Sequence, residues 1–477
     1  MRPLKISIAG VRGVVGETFT PELAVSFAAA FGTYIAVEDR PKVVFLNRDT
    51  RPSGEMLAAA VRAGLTATGC EVIDLGVCPT PVMQWAVRQA SEQCSEQGRP
   101  IACGGMAITA GHSAEEWNAL KFIGSDGTYL SQYEGAELLD HFHHARPAWQ
   151  DAYHLGSIRR DTEQARQRAI LQHRQRLFQT LAVEAIRQRR FKVALDCCNG
   201  SCCLTSPDLL RQLNCEVVVI NDEPDRPYPH PPEPNPQNMS QLRALVRASG
   251  ADLGFAHDAD GDRLGLVTNT GEPLLAQFTF CLAVQQVLAH QTGDCTVVTN
   301  LSTTRRIDDI ARQYTASGAG RCRVERTRVG QSYILEAMRL YGGIVGGEGS
   351  GGVMFRDMHL VQDSMATMGH ILQLLAEQEG SLNDLVAALP VYHWREESIP
   401  LPPPRLHAVL QQFRDLAAQE AEGARVDLTE GVRLDWEEGW LHVRASITEP
   451  ILRLIAEATT AARAEDLLEW ARRYIRT

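Results

Sequence analysis

Val43-Val44-Phe45-Leu46-Asn47-Arg48-Asp49 is an apolar run that ends in charge, and it decides the fold. Four consecutive apolar residues closed by polar ones read as a buried strand, and Glu55 to Ala67 then carries the spacing of an amphipathic helix. Val72-Ile73-Asp74-Leu75 returns as a second strand. The same order recurs at Val193 to Leu195, a helix near Leu209-Leu210, and Val217 to Ile220. It recurs again at Thr296-Val297-Val298, a helix through Ile307 to Tyr314, and Val324. Strands alternating with helices over short links predict α/β layers on parallel or mixed sheets. The three units, near 43–75, 193–220 and 296–324, lie too far apart for a solenoid and imply three related domains.

Between them the polar stretch Arg146 to Gln150 reads as a boundary leading into a charged helix from Thr162 to Arg189. Asp225 to Pro236 is so rich in proline that it reads as an ordered loop rather than a free linker. Pro390 and Pro400 to Pro404 mark a second boundary. Beyond it a helix from Arg405 to Gln419, strand from Leu434 to Ile447 and helix from Ile451 to Tyr474 predict a differently built α+β piece. The 477 residues are 44% hydrophobic and 22% charged, with a net charge of −11. That balance excludes wholesale disorder and disfavours nucleic acid as a partner. No apolar window approaches the ~18 residues of a membrane span, so a cytoplasmic protein with no membrane partner is expected. Twelve cysteines are then expected reduced. Cys197, Cys198, Cys202 and Cys203 crowd seven residues without the paired spacing of a zinc site. His141, His143 and His144 read as a solvated segment.

Four stretches carry candidate chemistry. Asp258-Ala259-Asp260-Gly261-Asp262-Arg263 follows the apolar run Leu253 to Ala256. Alternate residues of an extended chain point the same way, so three carboxylates can converge on a hard cation such as Mg²⁺; the alternative is a solvated acidic turn. An EF-hand is excluded by Arg263 and Asn269 at its sixth and twelfth positions. Gly346 to Gly352 contains a formal dinucleotide fingerprint, but Val353-Met354-Phe355-Arg356 does not open a helix. Glu348 and Ser350 in that loop suit a polyol such as a sugar, against a simple hairpin. Arg444 to Pro450, with Arg453 beyond, reads as an anion cradle at a helix N-terminus, against simple capping. Ile108 to Phe122 holds His112 and Lys121 as acid/base candidates, although a lone loop histidine is usually structural.

Taken in order, these stretches resemble the α-D-phosphohexomutase superfamily of phosphoglucomutases, phosphomannomutases and phosphoglucosamine mutases. Gly10 to Gly16 with Thr20-Pro21-Glu22 is similar to the family's N-terminal motif, and Arg48-Asp49-Thr50-Arg51 with Ser53-Gly54 to its next one. The Gly347 to Gly352 and Trp117 to Lys121 stretches look most like the phosphoglucosamine mutase branch. The resemblance implies three similar α/β domains with mixed sheets, 1–156, 157–272 and 273–388, and a C-terminal α+β domain, 389–477, around a central cleft. It implies Mg²⁺ on Asp258, Asp260 and Asp262, and catalytic roles for Arg12, His112, Lys121 and Arg263. Glu348 and Ser350 would take sugar hydroxyls, while Arg444, Ser446, Thr448 and Arg453 take a phosphate. The implied partner is a hexose phosphate, met by a monomer or homodimer, with hexose 1,6-bisphosphate as activator.

One position departs from the family. Its catalytic loop reads Thr-Ala-Ser-His-Asn-Pro, and the serine carries the transferred phosphoryl group. Here Gly111 stands in its place, followed by His112, Ser113 and Ala114. Glycine has no hydroxyl to phosphorylate. Ser113 is the nearest replacement, but two extended residues displace it by roughly 6–7 Å. The implied function is Mg²⁺-dependent phosphoryl transfer between the 1- and 6-positions of a glucosamine, glucose or mannose phosphate. The alternative is a phosphosugar-binding homologue without mutase activity, with other phosphosugar chemistry or a regulatory role.

Overall fold

In a computed structural model of the chain, which describes residues 4–7, 10–36, 40–92, 101–159, 161–446 and 451–475, the strand Lys42–Arg48 is buried at its five central positions. It pairs in parallel with Glu71–Val77 on one side and Ala102–Ile108 on the other. The helix Gly54–Ala67 connects the first two, completing the unit read from the sequence. Trp117–Ile123, Gly10–Val14 and Lys5–Ser7 extend the sheet in antiparallel fashion, so it is mixed and six-stranded. Its core gathers Val44, Leu46, Leu57, Leu65, Phe27, Phe31 and Phe122.

The chain divides into two units, Met1–Gln286 with Ser350–Asn383, and Val287–Gly349 with Asp384–Thr477. The first also contains a four-stranded mixed sheet. Lys192–Asp196 pairs in parallel with Glu216–Ile220 and Leu253–His257, and the last returns antiparallel as Leu264–Thr268. The hairpin between Leu253–His257 and Leu264–Thr268 carries the acidic stretch. Asp225 to Pro236 is a loop, as expected. The charged segment from Thr162 is two helices rather than one, Thr162–Thr180 and Val183–Arg189, with Leu181 extended between them. The three histidines at 141–144 form the last turn of the helix Gln132–His144, which Ser131 and Glu134 open with a reciprocal cap.

In the second unit Cys295–Asn300 pairs in parallel with Cys322–Thr327 and Val345–Gly347. A five-stranded antiparallel sheet follows, in the order His393–Pro400, Ile451–Ala458, Gly439–Ala445, Val432–Trp436, Arg425–Asp427. Ile451–Ala458 is therefore a strand, not the helix expected from its apolar run. Its start alternates between half-buried and buried, but from Leu454 to Ala458 it is buried on both faces, which removes the alternation that marks a half-buried strand. The helix begins only at Ala461. Among the described residues no helix opens between Ser446 and Ala461, and the helix N-terminus read for the cradle is corrected accordingly. Within this unit Glu457, fully buried, accepts from the Trp440 indole (2.8 Å) and the Arg305 backbone (2.7 Å), and pairs with Arg306 (3.4 Å). It fastens the start of the helix Arg306–Ala316 to the five-stranded sheet.

Among the described residues no helix is long and apolar enough to cross a membrane. Three buried histidines set an acid limit on the fold. Burial pushes His257 and His359 down to about 4 and His442 down to about 3. All three stay neutral in the folded chain while the unfolded chain takes up protons below about 6.5, so this stability is present above that pH and lost beneath it. The unfolding free energy in urea should fall between pH 7 and pH 5, by up to about 1.4 kcal/mol per histidine for each pH unit. His359→Gln should make the slope of the first unit shallower, with His257 keeping the remainder.

Candidate active site

The site of the first unit grows from a turn. Thr109 ends the buried strand Ala102–Ile108, and its hydroxyl accepts from the Gly111 N–H at 2.9 Å. The same oxygen lies 2.6 Å from Asp49 Oδ2 and 3.1 Å from Asp260 Oδ2. Gly111 sits at φ +56°, where a side chain is disfavoured and glycine is at ease. A Cβ built on it would stand 3.6 Å from Asp260 Oδ1 and 3.9 Å from Lys121 Nζ, so this position faces the acidic hairpin directly.

Arg51 holds the turn in that place. Its guanidinium, 1% exposed, gives Nε to Asp49 Oδ2 at 2.9 Å. Its other donors go to the carbonyls of Gly111 (2.7 Å), Ser113 (2.7 Å), Ala114 and Trp117 (3.1 Å). The sequence marked Arg51 within a motif without assigning it this task. Tyr228, from the proline-rich loop, covers the guanidinium with its ring at 5.3 Å. Nothing in the sequence pattern signals that contact, because it joins segments far apart in the chain.

The hairpin is fixed by its backbone. Asp260 C=O accepts from Thr80 N–H (2.9 Å), Gly261 C=O from Ser364 N–H (3.0 Å), and Ala259 C=O from Ser201 N–H (2.9 Å). All three aspartates are buried. Lys121 Nζ donates to Asp260 Oδ2 at 2.8 Å and Asp262 Oδ2 at 3.2 Å. Burial alone would lower the Lys121 pKa, but the two carboxylates hold it well above its usual range. Burial, then Asp260 and Asp262, pushes Asp258 well up, and burial with Asp260 raises Asp262 to about 6. Asp260 goes the other way. Burial favours its neutral form, yet Lys121 outweighs that and keeps it low. Asp258 Oδ2, Asp260 Oδ1 and Asp262 Oδ1 are each buried without a hydrogen-bond partner. The carboxylates do not close round one point, and among the described residues no three such side chains form a ligand set.

The remaining residues named from the sequence for this unit lie around that hairpin. Arg12 donates to the Ser113 hydroxyl at 3.2 Å, and Arg263 pairs with Glu233 at 3.4 Å. His112 is kept neutral, its pKa pushed well down by Arg263, by burial, and by Arg12, Lys121 and Arg51. The Ser350 hydroxyl, also in the first unit, is buried without a partner.

In the second unit Glu348 Oε1 accepts from Asn300 Nδ2 at 2.9 Å and Gly330 N–H at 3.1 Å. Arg444 lies 3.5 Å from Glu430, and its Nε is buried without a partner. Strand register sets Arg444 directly opposite Arg453, which pairs with Glu396 at 2.7 Å. Two arginines in facing positions repel unless anions intervene, and Glu430 and Glu396 do part of this work. Ser446 closes the strand end, its N–H bonded to Ile451 C=O at 2.9 Å. Thr448 lies outside the described residues.

Four descriptions of phosphoglucomutase/phosphomannomutase domains match the chain in order. They are alpha/beta/alpha domain I over residues 4–148, domain II over 172–271, domain III over 277–392, and the C-terminal domain over 399–472. The chain belongs to the phosphoglucomutase/phosphomannomutase family. This places it among the α-D-phosphohexomutases, enzymes of the isomerase class. A phosphoglucomutase/phosphomannomutase of Thermococcus kodakarensis is 36% identical over 96% of both chains. A probable phosphoglucosamine mutase of Methanopyrus kandleri is 33% identical over 96% of this chain and 95% of its own. The crystal structure of a family protein from Burkholderia thailandensis matches with a TM-score of 0.83 at 26% identity, covering 98% of this chain and 96% of that one.

The Arg51 arrangement predicts a specific loss. Arg51→Lys keeps the charge beside Asp49 but cannot reach four carbonyls, so it should cost about 3 kcal/mol or more of unfolding free energy in denaturant titration. Amide exchange across residues 111–117 should accelerate with it. Unchanged protection there would contradict the assignment.

Proposed function

We propose that this chain binds a hexose phosphate in the cytoplasm and, with Mg²⁺ on Asp258, Asp260 and Asp262, moves a phosphoryl group between the 1- and 6-oxygens. The observation that carries the reading is the acidic hairpin, with one unpartnered buried oxygen on each aspartate and Arg12, Arg51, Lys121 and Arg263 close by. Hard anionic oxygens of this kind suit a hard dication, round which the three carboxylates, which form no ligand set as they stand, would have to draw together. Bound there, Mg²⁺ would supply positive charge to the phosphoryl oxygens. Arg12 and Arg263 offer charge to the same group, and neutral His112 can pass a proton. Glu348 and Ser350 are proposed to take sugar hydroxyls, and Arg444, Arg453, Ser446 and Thr448 the phosphate that is not transferred.

The phosphoryl carrier is proposed to be Ser113, the loop hydroxyl already held by a guanidinium, with hexose 1,6-bisphosphate from solution loading it. Its oxygen would bond to phosphorus as the P–O bond to the sugar breaks. A second reading, binding of the phosphosugar without mutase turnover, is favoured by one observation. The turn position that faces Asp260 Oδ1 is a glycine, with nothing to phosphorylate.

Asp260→Asn should weaken Mg²⁺ binding at least tenfold by calorimetry, since about 1.4 kcal/mol is lost with one anionic ligand at the least. Arg444→Ala should weaken binding of a hexose phosphate by roughly tenfold or more, the value of one charge-assisted contact. Incubation with Mg²⁺ and hexose 1- and 6-phosphates, with and without the bisphosphate, should show interconversion by phosphorus NMR. Intact-mass measurement should find one phosphate on the protein, absent from Ser113→Ala. A protein that binds hexose phosphates, stays unmodified and interconverts none of them would establish the second reading.

A further inference from the structure

Asp260 uses one of its carboxylate oxygens and leaves the other. Oδ2 is engaged by Lys121 at 2.8 Å and lies 3.1 Å from the Thr109 hydroxyl, while Oδ1 is buried with no partner. The unpartnered oxygen looks onto Gly111. The Cβ position of residue 111 falls 3.6 Å from Oδ1, 3.8 Å from Oδ2 and 3.9 Å from Lys121 Nζ, ordinary contact distances at which a side chain would fit. A hydroxyl one bond further out would reach hydrogen-bond distance of the carboxylate. Glycine leaves that volume free of side chain, and a buried carboxylate oxygen calls for a donor. A water molecule meets the demand, because it can donate to Asp260 while Lys121 donates to it.

An oxygen held there lies where the charge of a phosphoryl group would be best tolerated. Arg12, Arg51, Lys121 and Arg263 all act electrostatically on His112, the next residue of the turn. Phosphoryl transfer goes through a loose transition state, so positioning and positive charge matter more than a strong base. A covalent carrier at this position would protect the phosphoryl group from water. Glycine instead admits water to it.

We infer that this chain is also a phosphomonoester hydrolase acting on hexose phosphates, with water at the Gly111 position as nucleophile. The water oxygen bonds to phosphorus, the bond from phosphorus to the sugar oxygen breaks, and its electron pair leaves with that oxygen. A proton from the water ends on the departing oxygen. A hexose monophosphate gives the free hexose and inorganic phosphate, and a 1,6-bisphosphate gives a monophosphate and inorganic phosphate. The inference rests on the hexose-phosphate reading of the same site.

The test runs the wild-type protein with Mg²⁺ in oxygen-18 water on glucose 1,6-bisphosphate and on glucose, mannose and glucosamine phosphates. Calorimetry on the same ligands accompanies it. Released phosphate should carry one heavy oxygen, read from the isotope shift in phosphorus NMR. Gly111→Ala puts a methyl group in the water's place and should cut release by roughly 100-fold while binding persists. Because a side chain at φ +56° is strained, the labelling of phosphate by the wild type decides the matter if that variant does not fold. Binding without labelled phosphate overturns the hydrolase and leaves the hexose-phosphate reading standing. Absence of binding removes both.

Discussion

A guanidinium taken out of water needs an acceptor for every N–H, and Arg51 finds them in Asp49 and the carbonyls of Gly111, Ser113, Ala114 and Trp117. Carbonyls of one loop all aimed at one point leave that loop little freedom. The turn cannot slide, and Gly111 is pressed toward the hairpin of Asp258, Asp260 and Asp262. Thr109 completes the link, since its hydroxyl lies within hydrogen-bond distance of both Asp49 and Asp260. The pair Arg51–Asp49 is thus worth more to geometry than to stability. A buried ion pair by itself is at best marginally favourable, but removing one partner strands the other.

Much of this was legible in the chain. The apolar run Val43 to Leu46 and its helix gave the parallel pairing, because a strand buried on both faces needs nothing but apolar side chains. Asp258, Asp260 and Asp262 declared themselves by spacing. The same rule misled at Ile451 to Ala458, where burial of both faces from Leu454 onward breaks the alternation and the apolar residues mimic a helical stripe. Tyr228 over Arg51 was invisible because it joins segments distant in sequence, and Glu430 beside Arg444, across the hairpin of Val432–Trp436 and Gly439–Ala445, was invisible because it depends on strand register. Gly111 could be read as a missing hydroxyl, but its left-handed backbone and its distance to Asp260 could not.

The Arg444–Arg453 pairing shows what replaced the expected helix terminus. Strand register puts the two residues opposite each other, so positive charge is concentrated by sheet geometry rather than by a helix dipole. Burial lowers the Arg444 pKa, and Arg453 acts in the same direction against Glu430. Such a pair is costly to hold in the absence of counter-charge. Glu430 and Glu396 supply some, and neither reaches the buried Nε of Arg444. On the proposed function a phosphate, with more acceptor oxygens and a higher charge than a carboxylate, would meet the remaining demand.

Lys121 answers the same question from the opposite sign. Three buried carboxylates cannot all remain charged without a cation, and the ammonium between Asp260 and Asp262 keeps Asp260 ionised while Asp258 and Asp262 are driven toward their neutral forms. One positive charge among three acids leaves room for more. A dication would share the acids with Lys121 and reverse the upward shifts of Asp258 and Asp262, since a bound metal requires them deprotonated. The hairpin is therefore poised between two charge states. Which of them it adopts depends on the cation, while the backbone is clamped by Thr80, Ser201 and Ser364 and leaves the movement to the side chains.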